Sequence, residues 1–479
     1  MSIIIPANTL AAGGYEVDNS CRFNGDAYVH KAVVAGNQRT FTYSFWIKRS
    51  TLNGYQTFIG YAGTAGGGGG TNRGELIFVG DGDDTLRVGF NPGGSSWSNY
   101  TVSDRVFRDT SAWYNIVLKV NTTNGTASER LKIFVNGVSQ GLDGYPGQNF
   151  DTGFNVDGYV YHVGRSASGT GNFLKGYLAE AVFIDGTALD ADSFGEFDED
   201  SGIWKPIDVS GLTFGNNGFH LDFEASGNLG NDANGGTDFT EVSLAATDQS
   251  TDTCTNNFCT MNALDNFYAA STLSEGNLKV LTISGNAAYN PATFGLIKGK
   301  WYWEIKLVTC SNGDGSEATI IGISNQSPVN AGYSGSIVVN DGIGIRGNGK
   351  AWGADGSSGG GQETSGFDAI AVGNTAMIAV DFDNGKLYHG INGTWGNSGD
   401  PTSGSSGTGA YAFTVGTDVW FPGVNQRETS QTATFELNFG SPPYAISSGN
   451  QDADGFGNFE YAVPSGYFAL NTKNLAEYG

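Results

Sequence analysis

The sequence predicts an all-β chain: two tandem concanavalin-like antiparallel β-sandwiches (jelly rolls) with a long ordered connector. Three observations carry this. Of 479 residues, 75 are glycine, only 11 are proline and 13% are aromatic, which describes short strands joined by turns. Apolar residues recur with period 2 in one short segment after another, the repeat of a half-buried strand. The length exceeds what a single core serves, so more than one domain is expected.

The first unit spans residues 1–205. In residues 40–48, TFTYSFWIK, Phe41, Tyr43, Phe45 and Ile47 alternate with Thr42, Ser44, Trp46 and Lys48. Residues 56–61 form a second apolar run. Five consecutive glycines at 66–70 read as a loop, because no strand interior tolerates them cheaply. Residues 75–79 and 85–90 flank an Asp/Gly turn and read as a hairpin. Residues 113–120, WYNIVLKV, put Tyr114, Ile116, Leu118 and Val120 on one face. Residues 131–135 run into Asn136-Gly137, the dipeptide suited to a two-residue hairpin turn with positive φ. Residues 176–184, GYLAEAVFI, close the unit.

Residues 206–275 read as a connector containing one clear strand, GFHLDF at 218–223, and interspersed Phe219, Leu221, Phe239 and Phe258 that pack on neighbours. The second unit spans 276–479. It is organised around GKWYWEI at 299–305, where Trp301, Trp303, Ile305 and Leu307 share one face and Tyr302, Glu304 and Lys306 the other. Strands at 318–323, 342–345, 375–383, 386–389, 419–424 and 432–439 complete it. Helix is nearly absent from the reading; residues 190–194 supply one turn.

The formal charge of −24 disfavours a nucleic-acid partner, which needs clusters of Lys and Arg. No apolar run approaches a membrane span, and the opening MSIIIPANTL lacks the basic region of a signal peptide. Cys254 and Cys259, in CTNNFC, fit neither a zinc ribbon nor a redox CxxC. A local disulfide between them is sterically possible, but in a reducing cytoplasm they are expected free; Cys21 and Cys310 are the other two cysteines.

Glu196, Asp198 and Glu199 imitate a glycosidase carboxylate strand, but their loop setting reads as a solvated acidic turn. His30, His162, His220 and His389 are scattered singly, and no catalytic residue is assigned. Asp232, Asn234 and Asp238, with glycines between them, supply oxygens of the kind calcium takes; an ordinary Asp/Gly turn is the other reading. Asp81, Asp83 and Asp84 form a second such cluster. Trp97, Tyr100, Trp352 and Trp395 lie in Gly/Ser/Asn-rich surroundings and are the candidate ligand-stacking rings, with core packing as the alternative for each tryptophan.

The stretches TFTYSFWIKRS, SAWYNIVLKV, RLKIFVNGV and GYLAEAVFIDGTALD, in that order, make the first unit resemble a laminin-G-like, concanavalin-A-type jelly roll. GKWYWEIKL, TIIGISN, DGIGIRGNGKAWG, TAMIAVDFDNGKLYHGINGTW and VWFPGV make the second resemble a SPRY domain. The opening IIPANTLAAGGYEVDNSCRFNG, the connector FIDGTALDADSFGEFDEDSGIWKP and the closing PSGYFALNTKNL resemble virion structural proteins of marine bacteriophages, cyanophages included. That resemblance implies a non-enzymatic virion protein, assembled in the host cytoplasm, of tail-fibre or receptor-binding type. Its implied partners are other virion proteins and a host surface glycan or protein, and by analogy it is a homo-oligomer such as a trimer. A decoration role and a glycan-degrading hydrolase of the same fold are the alternatives.

Overall fold

A computed structural model describes residues 14–52, 54–63, 72–80, 82–93, 99–167, 171–266, 270–283, 288–313, 319–325, 342–353, 363–364, 366–426 and 431–479. The chain divides at Thr255/Asn256 into two compact units. Each is a two-sheet sandwich, antiparallel as expected except for one short parallel pair in the second unit.

In the first unit the larger sheet runs, edge to edge, Val138–Ser139, Leu131–Val135, Trp113–Asn121, Thr40–Arg49, Lys175–Asp185, Ser20–Asn24, Gln249–Ser250, with Phe219–Leu221 also beside Lys175–Asp185. The smaller sheet runs Thr240–Val242, Tyr28–Ala32, Val160–Val163, Gln56–Ala62, Arg73–Phe78, Thr85–Asn91, Asn99–Val106. One apolar core joins them. Phe41, Tyr43, Phe45, Ile116 and Leu118 from the first meet Phe58, Tyr61, Leu76, Phe78 and Val88 from the second. Phe58 and Ile59 are adjacent in sequence yet both lie in that core. A register shift between Thr57 and Ile59 allows it, because one extra residue turns both side chains inward.

The stretch read as a connector is built into the two units. Phe219–Leu221 and Gln249–Ser250 extend the larger sheet of the first unit, and Thr240–Val242 adds an edge to its smaller sheet. Residues from Asn256 onward belong to the second unit. The reason is local. The strand Lys175–Asp185 shifts register between Ala179 and Val182, with Glu180 at φ +48. Before the shift it pairs with Ser20–Asn24, and after it with Phe219–Leu221. Without that second partner, the backbone groups along this side of Ala181 to Phe183 would lack hydrogen bonds.

In the second unit the larger sheet runs Thr272–Ser274, Lys279–Leu281, Ala433–Asn438, Lys300–Cys310, Thr375–Asp381, Lys386–Ile391, Thr394–Trp395. Two further short strands pair with it: Tyr411–Ala412 beside Lys386–Ile391, and Phe468–Ala469, parallel to Lys300–Cys310. The smaller sheet runs Ala288–Pro291, Phe421–Gln426, Thr319–Ser324, Ile343–Arg346, Ala351–Gly353, Glu363–Thr364. Trp301 and Trp303 are fully buried between the sheets with Ile321, Ile345, Phe435 and Leu437. Phe41 and Phe45 are equally buried in the first unit.

Both larger sheets are covered on their outer face too. In the first unit Trp46, Trp113, Val117, Tyr177 and Ile184 meet Phe194, Trp204, Val209 and Phe214 from the chain after the last long strand. In the second, Tyr302, Met377, Ala379 and Tyr388 meet Phe459, Tyr467 and Ala469 from the C-terminal stretch.

Asn136 and Gly137 adopt φ +47 and +77 and close the expected hairpin. Asn392 and Gly393, at φ +48 and +87, close another between Ile391 and Thr394. The one α-helix among the described residues, Thr472–Tyr478, is an element the periodicity did not announce. Its signal is Asn471, whose side chain accepts from the Asn474 N–H at 2.9 Å. No disulfide joins any of the four cysteines.

Candidate functional site

On the outer face of the first unit's smaller sheet, two neighbouring strands sort their residues by alternation. Leu86, Val88 and Phe90 point to the core, so Arg87 and Gly89 point out; Leu76 and Phe78 point in, so Glu75 points out. Register aligns one row across the sheet: Thr240, His30, His162, Gly60, Glu75, Gly89, Tyr100. Seven strands at about 4.8 Å spacing make that row about 29 Å long.

The middle of the row is filled. A Cβ on Gly60 would meet Ala167 Cβ at 3.3 Å, so the residues after Val160–Val163 close over it. Ser166 Oγ donates to Glu75 Oε2 at 3.0 Å, and Arg87 Nη2 donates to Glu75 Oε1 at 3.3 Å. Glu75 is only 5% exposed, and the guanidinium and hydroxyl replace the hydrogen bonds it loses to water.

On one side of Glu75 the Arg87 guanidinium lies between two rings, 5.4 Å from Tyr55 and 5.8 Å from Tyr100. Tyr100 is 58% exposed, the largest exposure among the described large hydrophobic residues. On the other side His30 stacks on His162 at 5.9 Å, Tyr28 lies 5.9 and 5.8 Å from them, and Arg165 sits 4.3 Å over Tyr28. Burial, then the Arg165 charge, lowers the pKa of His30. His162 falls further, to about 4, through burial, then Arg165, then His30. Both imidazoles are therefore neutral at pH 7. The face presents flat aromatic surface with fixed polar groups between, which suits a ligand offering both C–H faces and hydroxyls.

Of the ligand-stacking rings named from sequence, Tyr100 alone is seen on this face, where His30 and His162 also lie. Trp97 and Asp81 lie outside the described residues. Trp352 has its place in the second unit, where Pro291, Gly423, Gly322, Gly344, Trp352 and Glu363 form one cross-strand row; its side chain lies outside the description. Trp395 is half-buried and packs edge-on to Tyr302 at 6.4 Å and Tyr388 at 6.5 Å. The missed residues are Tyr55 and Arg87. Arg87 had a signal, a lone cation alternating with Leu86 and Val88, but nothing in sequence says which rings bracket it.

Asp232, Asn234 and Asp238 are linked by hydrogen bonds within one turn. Asp232 is 3% exposed and accepts from the His220 and Asn234 N–H groups at 3.0 and 3.2 Å, with Lys31 Nζ at 3.3 Å. Asp238 accepts from the Asp232 N–H at 3.0 Å. Lys31 is the cation beside this turn. Asp84 likewise holds Arg49 at 3.0 Å and Arg108 at 3.4 Å. Among the described residues no three His, Cys, Asp or Glu converge as a metal site. In the acidic turn, the Ser201 N–H and hydroxyl hold Asp198 below the usual carboxylate range, and Lys205 bridges it to Glu196. Among the described residues no helix is long and apolar enough to cross a membrane.

A family model, Laminin_G_3, described as the Concanavalin A-like lectin/glucanases superfamily, matches residues 23–193. No curated protein matches the chain. Solved structures similar to it include the SPRY domain of human HERC1 (16% identity, TM-score 0.27, 35% of this chain and 91% of that one). A Bacteroides ovatus protein assigned to carbohydrate binding shares 18% identity (TM-score 0.34, 47% of this chain and 58% of that one). A heptameric SAP-like pentraxin from Limulus polyphemus shares 17% (TM-score 0.27, 36% and 78%). Likeness at this level transfers no residue role. Residues 23–193 of the first unit are thus similar to the laminin-G type of concanavalin-A-like domain.

Proposed function

We propose that this is a non-enzymatic binding protein of a virion surface, and that its first unit holds glycan chains across the outer face of the smaller sheet. The observation that carries the binding half is the exposed Tyr100 ring beside Arg87, with Tyr55 behind it and Glu75 anchored below. Such a platform offers a sugar one stacking surface and, beside it, a guanidinium held in place by Glu75. The virion half is supported by the resemblance of the opening, connector and closing segments to marine phage structural proteins. In that setting the remaining partners are other virion proteins and further copies of this chain.

The experiment is retention of the intact purified protein on immobilised host-surface polysaccharide, for wild type and Tyr100→Ala, with released reducing ends measured in parallel. Retention that falls about tenfold in the variant, the order expected for a lost stacking contact of about 1–1.5 kcal/mol, supports the reading. Release of reducing ends would replace it with the hydrolase reading. Labelling of intact particles with an antibody to this chain tests the virion half, and unlabelled particles would overturn it.

A further inference from the structure

A second recess lies at one end of the first unit's sandwich, away from the residues of the row above. It is a shallow recess, open to solvent, with a volume of 670 Å³. Its lining draws on four separate stretches and includes Asn37, Gln38, Arg39, Asp151, Asp185 and Asn216.

The base is fixed before any ligand arrives. Asp185 ends the strand Lys175–Asp185 and is 7% exposed. It accepts from the Asn37 N–H at 2.8 Å, Asn155 Nδ2 at 3.0 Å, the Asn217 N–H at 3.3 Å and Asn217 Nδ2 at 3.4 Å. Asn155 in turn accepts from the Tyr161 hydroxyl at 2.7 Å. Gly36 is required beside it, since a Cβ there would lie 2.2 Å from Asp185 Oδ2. The mouth carries a forked ion pair, Arg39 Nε to Asp151 Oδ1 at 2.6 Å and Nη2 to Oδ2 at 3.2 Å. Exposed as it is, that pair adds little stability, yet it holds a planar donor–acceptor edge in one orientation.

The chemistry of this lining selects its ligand. No aromatic ring is among the lining residues, so nothing stacks. Arg39, Asp151 and Asp185 sum to one net negative charge, within a chain of net charge −24, so anions are repelled. Carboxamides, a guanidinium and carboxylates leave hydrogen bonding to neutral hydroxyls as the mode of recognition. We propose that this recess is a second saccharide site, taking a neutral terminal sugar residue end-on, whereas the sheet face takes the interior of a chain side-on. The inference rests on the reading above for its ligand class and on different residues for its site.

The test is saturation-transfer NMR on the intact protein with methyl glycosides of glucose, galactose and mannose, and with glucuronic acid as the anionic probe. Three proteins are compared: wild type, Asn216→Trp and Tyr100→Ala. Asn216 is exposed, so the indole obstructs the recess without entering the core, and a melting temperature within about 2 °C of wild type confirms the fold. The expected result is transfer to at least one neutral glycoside, reduced at least fivefold in Asn216→Trp, unchanged in Tyr100→Ala, and weaker for glucuronic acid. No transfer to any neutral glycoside would overturn the inference. So would loss in Tyr100→Ala with retention in Asn216→Trp, or equal transfer to glucuronic acid. Polysaccharide retention that is absent while glycoside transfer persists would instead remove the sheet-face reading and leave the recess standing.

Discussion

The two units solve one packing problem with different electrostatics. Each larger sheet must bury its outer face under a cover of short strands and loops. In the first unit the Trp204 fastening is neutral: Trp204 lies in the apolar layer and its Nε1 donates to Asn115 Oδ1 at 3.1 Å, while Asn115 Nδ2 donates to the Phe45 carbonyl at 3.3 Å. In the second unit a carboxylate does it. Glu304 is fully buried and accepts from the Tyr302 hydroxyl at 2.9 Å, the Glu460 and Tyr461 N–H groups at 3.0 and 2.8 Å, and Asn438 Nδ2 at 3.3 Å. Burial raises the Glu304 pKa, and the four hydrogen bonds oppose that rise. A buried neutral network is insensitive to acid, whereas a buried carboxylate titrates with the fold.

The largest effects come from removing either fastening. Glu304→Ala leaves several buried donors unsatisfied at about 1–3 kcal/mol each, and the second unit is expected to lose about 4 kcal/mol. Trp204→Ala opens the first unit's cover at a cost of about 3–5 kcal/mol. Amide hydrogen exchange localises each. Protection should fall at Glu460 and Tyr461 in the first variant and along Leu131–Val135 and Trp113–Asn121 in the second. Protection at Glu460 and Tyr461 that survives in Glu304→Ala would show that the carboxylate fastens nothing.

The next effect is one of sign. His162 is neutral in the folded state down to about pH 4, but in the unfolded chain it takes a proton near its ordinary 6.5. Its contribution is fully present above 6.5 and is lost as pH falls from there to about 4, by up to about 3 kcal/mol. Glu304 runs the other way: its folded pKa is raised, so its contribution is present at low pH and lost as pH rises through the folded value. Relative to His162→Gln, the wild type should therefore lose stability on acidification across that window. Relative to Glu304→Gln, it should lose stability on raising the pH. Denaturant midpoints at a series of pH values check both, and slopes of the same sign would break the contrast between the units.

A smaller effect is expected at Asn115→Ala, about 1–2 kcal/mol from one buried amide network and measurable as a shift in the denaturant midpoint. The smallest is at Tyr100→Ala. An exposed ring leaves stability within about 0.5 kcal/mol of wild type, while glycan retention falls about tenfold. A stability loss of core size there would show that Tyr100 is a packing residue and not part of a binding face.

These contrasts separate what was legible in sequence from what was not. Two sandwiches were legible, because alternation sorts Phe41, Tyr43, Phe45 and Ile47 from Thr42, Ser44, Trp46 and Lys48, and Trp301 and Trp303 from Tyr302 and Glu304, with no knowledge of partners. The Asn136-Gly137 hairpin was legible for a local reason, since both residues tolerate positive φ. Alternation says which residues share a face; it does not say what covers that face. Trp46 and Glu304 read as the outward set of their strands, yet Trp46 is 4% exposed and Glu304 fully buried. Their covers come from residues far along the chain, Phe194 to Phe214 and Phe459 to Ala469. The same limit applies to the candidate sites. Tyr100 could be named because one exposed ring in a polar neighbourhood is a local feature. Arg87 between Tyr55 and Tyr100, and Asp185 among Asn37, Asn155 and Asn217, exist only once sheet register and the ends of distant strands are fixed in space.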